Sequence, residues 1–323
     1  MSQDIHSFIY RSRNDEVKKR SSSGAAFFEL AQNAISKGCF VAGCVWDSNL
    51  QAKHIVSNKE QDIIRMQGSK YVQSNMNDTY KDILNLLKKN QKVLFSGTPC
   101  QASGISGLAY QIGKRENLIT VAIICHGVPS PLAWESYKKW DELVNGDKLV
   151  DVNFRDKTKK GYKETYTKYS YVSGKEIFRP AYLPVNKYVE SGIVYNLSMR
   201  PSCAECTSKG YNPNIDIILG DWHSDYSGEG YLGTSCISCY TNTGYSYVLE
   251  SLKDLSDIKY EEVVEKNGCI EKSSKKNPNR DKFFKHIQSY QNWNTVEKLY
   301  PNKYGFKKLL YKIGLYNLLK GKI

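Results

Sequence analysis

The sequence predicts an α/β fold, mixed α+β in detail: a central, mainly parallel sheet with flanking helices, a β-hairpin insertion and a basic C-terminal helical tail. Three observations predict it. Two short apolar runs, Val93-Leu94-Phe95 and Ile119 to Ile124, each lead through a turn into a helical stretch. A strand–helix–strand order of this kind favours adjacent parallel strands. Residues 162–182 alternate aromatic side chains around Ser173-Gly174, the pattern of a hairpin. The third observation is charge. The 323 residues carry 46 Lys and Arg against 33 Asp and Glu, a formal +13, yet residues 271–323 alone hold 13 basic residues against three acids. A near-neutral body with a basic tail follows, divided at residues 1–290 and 291–323.

The elements follow in order. Phe27, Leu30, Ala31, Ala34 and Ile35 repeat at helical spacing, with Ser23 as the expected cap and Gly38 as the stop. A strand pair is expected over 39–46 and 52–57, and the polar turn Gly68-Ser69-Lys70-Tyr71 separates two short helical patterns. The first apolar run ends in Ser96-Gly97-Thr98-Pro99-Cys100-Gln101, the second in Cys125-His126-Gly127-Val128-Pro129. Strands at 149–155, 215–219 and 234–241 and helices at 183–197 and 244–254 complete the body. In the tail, Phe306, Leu309, Leu310, Ile313 and Leu318 fall near one helical stripe, with Lys307, Lys308, Lys312 and Lys320 mostly elsewhere. Such a helix either lies on an anionic membrane surface or packs on the body.

Composition excludes several classes. With 40% hydrophobic and 24% charged residues, the chain is neither disordered nor a small disulfide scaffold. No apolar run approaches the roughly 20 residues that span a bilayer. No basic segment followed by an apolar core occupies residues 1–10, so the expected location is the cytoplasm, at the inner face of the membrane if the tail binds lipid. Gly-x-Gly-x-x-Gly and P-loop patterns are both missing. The Ser21-Ser22-Ser23-Gly24 loop entering a helix is either an anion site or a plain cap.

Nine cysteines, an odd count, argue against a disulfide framework. Cys203-Ala-Glu-Cys206 lies in a turn flanked by Pro201, Lys209 and Gly210, where thiolates three apart converge. Cys236-Ile-Ser-Cys239 lies in a strand pattern, where residues three apart point to opposite faces. Two completions stay open: a zinc site from both pairs, or Cys203 and Cys206 joined by Cys100 and Cys125. The latter two sit beyond the carboxyl ends of their strands, where open α/β sheets bind ligands, and four thiolates suit an iron–sulfur cluster. His126 either relays a proton or hydrogen-bonds its own loop. Asp221, Trp222, His223 and Asp225 form an alternative polar cluster, and Arg155 and Lys157 either bind an anion or cap a strand end.

Seven segments, in order, carry a family resemblance: Ser22-Ser23-Gly24, Gly68 to Ser74, Phe95 to Gln101, Cys125 to Ser130, Phe154 to Lys157, Arg200 to Cys206 and Gly220-Asp221-Trp222. Together the chain resembles the beta subunit of coenzyme F420-reducing hydrogenases and dehydrogenases, particularly its free-standing bacterial relatives. The resemblance implies a flavoprotein carrying FAD and one [4Fe-4S] cluster, with Cys100, Cys125, Cys203 and Cys206 as cluster ligands. It places the flavin over Ser22, Ser23 and Gly24 and the turn of Gly68, Ser69, Lys70, Tyr71 and Ser74, with Thr98 and Gln101 among the cofactor-binding positions. Lys70 would stabilise the anionic reduced ring, and His126 is the second catalytic candidate. Many relatives carry a cysteine-rich ferredoxin module that this sequence lacks, which implies a separate ferredoxin-like electron donor. The remaining partner is a small-molecule or sugar substrate, in a surface-polysaccharide pathway by analogy with the free-standing relatives. The competing readings are a zinc-stabilised basic binding module and a non-catalytic partner subunit. The tail has no nucleic-acid reader motif, so nucleic acid is not the expected partner.

Overall fold

Short apolar runs bounded by turn formers become strands, and eight of them share one sheet. The computed structural model describes residues 5–181, 186–223 and 226–300. The chain opens with β1 (His6–Tyr10), α1 (Asp15–Arg20), α2 (Ala26–Ser36), β2 (Phe40–Trp46), β3 (Ala52–Ser57), α3 (Glu60–Met66) and α4 (Thr79–Lys88). It continues through β4 (Val93–Gly97), α5 (Pro99–Gln111), β5 (Leu118–Ile123), α6 (Pro131–Asn145), β6 (Leu149–Asp156), β7 (Tyr166–Tyr171), β8 (Glu176–Pro180) and α7 (Lys187–Val189). Then come β9 (Ile217–Asp221), β10 (Ser235–Cys239), α8 (Asn242–Ser251), β11 (Ser256–Ile258), α9 (Tyr260–Lys266) and α10 (Arg280–His286).

The large sheet runs β11-β1-β10-β9-β5-β4-β2-β3. The α/β class is as expected, but the sheet is mixed rather than mainly parallel, with three parallel pairings and four antiparallel ones among the described residues. The two strand–helix units do pair in parallel, Val93 opposite Leu118 through Gly97 opposite Ala122. Parallel pairing covers the four central strands, β2, β4, β5 and β9. The flanks are antiparallel, because loops without a crossover helix connect β2 to β3 and β9 to β10. Both faces of the centre are covered, which is why its strands read as continuous apolar runs. Leu94, Val121, Ile217 and Ile237 pack with residues of α2 and α8, and Phe95, Ala122, Ile218 and Cys236 with those of α4, α5 and α9.

A buried carboxylate pins the centre. Asp216 Oδ2 accepts from Thr120 N (2.8 Å), Thr120 Oγ1 (2.9 Å) and Arg115 Nη2 (2.8 Å), and Oδ1 accepts from Thr241 Oγ1 (2.8 Å).

The second sheet, β6-β7-β8, is antiparallel and contains the expected hairpin. Its core is aromatic: Trp134, Tyr137, Phe154, Tyr169, Tyr188 and Trp293 are fully buried. Burying each such side chain contributes about 1.5–3 kcal/mol. Trp293 and Val296 belong to a 3-10 helix over Tyr290–Leu299, so the packed body runs past the boundary expected at 290. The helix expected over 183–197 is shorter: residues 182–185 lie outside the described residues, and α7 passes into a π-helical turn over Glu190–Val194. The amphipathic stripe from Phe306 to Leu318 also lies outside the described residues. No helix among the described residues is long and apolar enough to cross a membrane.

His54 on edge strand β3 is buried, with Nε2 3.0 Å from the Ser96 carbonyl and its ring stacked on Phe95 at 5.5 Å. Burial lowers its pKa to about 4. The unfolded chain therefore binds the extra proton between about pH 6.5 and 4, and stability falls as pH falls through that window. Urea denaturation from pH 7 to 4.5 should show an acid-side loss of about 2 kcal/mol attributable to this ring. His54→Gln keeps a donor for Ser96 without titrating and should flatten that limb; an unchanged limb would show that other groups set it.

Candidate functional site

The chemistry collects at one edge of the large sheet. Because β4, β5 and β9 are parallel, Thr98-Pro99-Cys100, Cys125 and Asp221 all leave the sheet there. β1 also ends there, at Tyr10, opposite the start of β10 at Ser235.

Cys100 is the second residue of α5 and is exposed. The helix is closed by a capping box in which Gln101 Oε1 accepts from Thr98 N and Thr98 Oγ1, both at 3.0 Å. A helix N-terminus favours a thiolate. Cys125 follows β5, and its loop is laid against the Cys203 turn. Arg200 N donates to the Val128 carbonyl (2.9 Å), Ser130 N donates to the Ser198 carbonyl (2.8 Å), and Pro129 bridges Met199. Glycine is needed at 127: a Cβ there would sit 3.0 Å from Met199 Sδ and 3.3 Å from Cys203 Cβ.

The thiols sense one another. Burial pushes the Cys125 thiol up to about 12, Lys209 opposes this, and the charges of Cys203 and Cys100 add to it. Burial also raises Cys203, which the Val128 N–H opposes and the charges of Cys100 and Cys206 reinforce. These couplings link all four cysteines. Among the described residues no three His, Cys, Asp or Glu side chains converge closely enough for a single metal ion. A zinc ion draws thiolates to about 2.3 Å; a four-iron cluster carries one thiolate per iron and holds them further apart. Four cysteine thiols are a donor set that iron–sulfur clusters and structural zinc sites both use. Cys236 and Cys239 are buried on opposite faces of the sheet, as the strand pattern requires, and do not share a site.

Beside the cysteines two polar loops close on each other. Ser22 Oγ and Ser69 Oγ are 2.7 Å apart, joining the Ser21–Gly24 loop to the Gly68–Ser74 turn. Ser23 is not the cap of α2. That position falls to Ala25, at φ 74, with no side-chain bond, because the Ser23 hydroxyl turns inward and donates to the Thr234 carbonyl. Gly24 is a close approach: a Cβ would lie 2.6 Å from Ser235 N and nearer still to the Tyr10 carbonyl. The buried Lys157 holds the loop from behind, donating to the carbonyls of Ser23 (3.0 Å) and Leu232 (2.6 Å). Burial lowers its pKa to about 7, against the pull of Asp221. Arg155, also buried, reaches Asp221 (3.0 Å) and the Tyr71 hydroxyl (3.3 Å). These cations beside a hydroxyl-rich loop suit an anionic ligand such as a flavin dinucleotide.

Lys70 behaves differently from expectation. Its ammonium donates to the carbonyls of Arg65 (2.9 Å), Met66 (3.1 Å) and Gln67 (2.8 Å), closing the end of α3. All three of its donors are used; it offers a ligand charge rather than a hydrogen bond. Burial lowers its pKa to about 8. Gln101 Nε2 donates to Ser74 Oγ (2.9 Å) and Gln73 N to the Pro129 carbonyl (2.8 Å), so the turn is tied to both the Cys100 helix and the Cys125 loop. His126 Nε2 meets Asn196 Oδ1 at 2.8 Å, a contact between the Cys125 loop and the segment that precedes the Cys203 turn. Asp221 is paired with Arg155, and Asp225 of the alternative polar cluster lies outside the described residues.

Sequence reasoning gave Lys209 no role beyond flanking the turn and missed Ser273 and Ser274. Lys209 donates to the carbonyls of Cys125 and Cys269. Cys206 N donates to Ser273 Oγ (3.2 Å), and Ser274 Oγ donates to the Cys203 carbonyl (3.4 Å). The signal for Lys209 was its place three residues after Cys206; the serines sit inside a run whose only legible feature was charge.

The family model for the C terminus of the coenzyme F420 hydrogenase/dehydrogenase beta subunit matches residues 90–273. Among solved structures, the chain is similar to one in "Xenon derivatization of the F420-reducing [NiFe] hydrogenase complex from Methanosarcina barkeri". That match has 20% identity and a TM-score of 0.52, over 91% of this chain and 91% of that chain. At this identity the likeness shows the fold. No curated protein matches the chain.

Two glycines test the close-packed loop. Gly24→Ala should cost about 1–3 kcal/mol by chemical denaturation, because backbone atoms block the new methyl. Gly107→Ala within α5 meets nothing described within 4 Å and should instead gain up to about 1 kcal/mol from helix propensity. Equal effects at the two positions would show that the loop at Gly24 relaxes freely.

Proposed function

Because the chain belongs to the coenzyme F420 hydrogenase/dehydrogenase beta-subunit family, over residues 90–273 of 323, we propose that it is an oxidoreductase using FAD and a [4Fe-4S] cluster. The observation that carries this reading is geometric: Cys100 and Cys125 leave adjacent parallel strands at one sheet edge, the Cys203 turn is laid against the Cys125 loop, and the loop pair joined through Ser22 and Ser69 lies beside them. Cys100, Cys125, Cys203 and Cys206 would hold the cluster, and the Ser22–Gly24 loop and Gly68–Ser74 turn would hold the flavin. When bound, these groups exchange single electrons with a carrier and hydride with a substrate at the flavin N5. The rest of the work belongs to the chain. Lys157 and Arg155 fix the loop and supply positive charge to phosphates. Lys70 holds the turn and adds a positive field. Gln101 keeps the turn in register with the Cys100 helix. His126, through Asn196, positions the Cys125 loop. The electron donor is a separate ferredoxin-like protein, and the substrate is a small molecule, with a sugar of a surface-polysaccharide pathway as the first class to screen.

Anaerobic purification tests the reading. The protein should be brown, with about four iron and four sulfide per chain and a flavin absorption bleached by dithionite. Cys203→Ser should abolish the cluster absorption, whereas Cys236→Ser should leave it intact, since Cys236 is buried within the sheet. Equal loss in both would overturn the ligand assignment. A colourless protein with stoichiometric zinc would replace the whole reading with a zinc-stabilised module.

A further inference from the structure

The basic stretch that begins at Glu271 does not start as a free tail. Residues 271–276, Glu-Lys-Ser-Ser-Lys-Lys, leave a 3-10 turn over Gly268–Ile270 and lie as a strap across the cysteine loops. Ser273 receives the Cys206 N–H, and Ser274 reaches the Cys203 carbonyl and faces Gly127. The Lys275 carbonyl accepts from Asn196 Nδ2 (3.1 Å), the same residue that meets His126. Ser274 is buried by these contacts, while Lys272, Lys275 and Lys276 are exposed. Arg200, on the other side of the Cys203 turn, is exposed too, and its N–H ties that turn to the Cys125 loop at the Val128 carbonyl. Two exposed acids, Glu205 and Glu271, lie among these four cations, leaving a positive balance.

We infer that this strap, with Arg200, is the docking surface for an acidic protein that carries single electrons. The inference rests on the cluster reading above and adds to it the place and charge of the contact. Cys100 is exposed, so a partner can approach the cysteines from that side. Electron exchange needs close approach but only a brief encounter, and such contacts are small and steered by charge. Among the described residues Lys272, Lys275 and Lys276 form no ion pair, which leaves them available to an anionic face. The strap contains no aromatic residue on which bases could stack, which disfavours single-stranded nucleic acid.

Binding of a plant-type acidic [2Fe–2S] ferredoxin to the purified chain tests this, with the triple variant Lys272→Glu/Lys275→Glu/Lys276→Glu. The control reverses Lys88 and Lys89, exposed at the end of α4 and thus near the amino end of β4, away from the cysteines. Kd should rise about tenfold or more in the triple variant, and in the wild type on raising salt from about 0.05 M to about 0.3 M; the control should stay within about twofold. Iron and sulfide should be unchanged in both variants. The inference is overturned by equal loss in the control, by no loss in the triple variant, or by iron loss in it, which would mean that the lysines hold the turn. Equal binding of a duplex DNA oligonucleotide with the same loss would overturn the assignment to a protein carrier. A wild-type chain without iron would defeat the cluster reading instead, and the comparison of the two variants would still decide where the ferredoxin binds.

Discussion

Asp216 sits where segments distant in sequence must meet. One carboxylate oxygen takes the Thr120 amide and hydroxyl together with Arg115, and the other takes Thr241, so β5, β9 and the chain after β10 share a single buried acceptor. Removing one side of a buried charge pair typically costs about 3–5 kcal/mol. The larger consequence is register. With Val121 opposite Ile217 and Ile123 opposite Leu219, the Cys203 turn that precedes β9 returns to the loop after β5. A slip of one residue would turn every side chain of β9 to the other face. Asp221 would lose Arg155, and with it the tie between the second sheet and the loop behind Ser23.

The pinned edge is partly dry, and this shows in its titrating groups. Burial drives the thiols upward, Cys125 to about 12, and the lysines downward, Lys157 to about 7 and Lys70 to about 8. The same desolvation moves acids and bases in opposite directions, each toward its neutral form. At neutral pH the edge therefore carries less positive charge at Lys157 than a solvated lysine would supply. An anion placed over the Ser22–Gly24 loop would favour protonated Lys157, and a bound metal would deprotonate the thiols.

Much of this was legible in the sequence because it rests on local pattern. Val93 to Phe95 and Ile119 to Ile124 are apolar runs closed by turn formers, so the strands, their parallel pairing and the position of Cys100 and Cys125 followed. Cys236 and Cys239 followed from strand periodicity alone. What was not legible depends on contacts between distant segments. Ser23 has every property of a cap, but the Thr234 carbonyl competes for its hydroxyl. Lys70 is the exception: the carbonyls that bind its ammonium lie only three to five residues back, a local geometry its motif did not reveal. Strand β1 is too short to announce itself and exists because β10 and β11 pair with it on either side.

The charge skew shows the same limit from another direction. Composition separates a near-neutral body from 13 basic residues after position 270, and it invites the conclusion that all of that charge is a tail. The structure divides the stretch. Its first residues are fixed by Ser273, Ser274 and the Lys275 carbonyl against the cysteine loops, and further on Trp293 is buried in the aromatic core. What fixes the lysines is therefore not their own side chains but the two serines and one carbonyl between them. Fixing the backbone this way keeps these exposed lysines beside the Cys203 and Cys206 turn. A free tail with the same composition would spread that charge over a far larger volume.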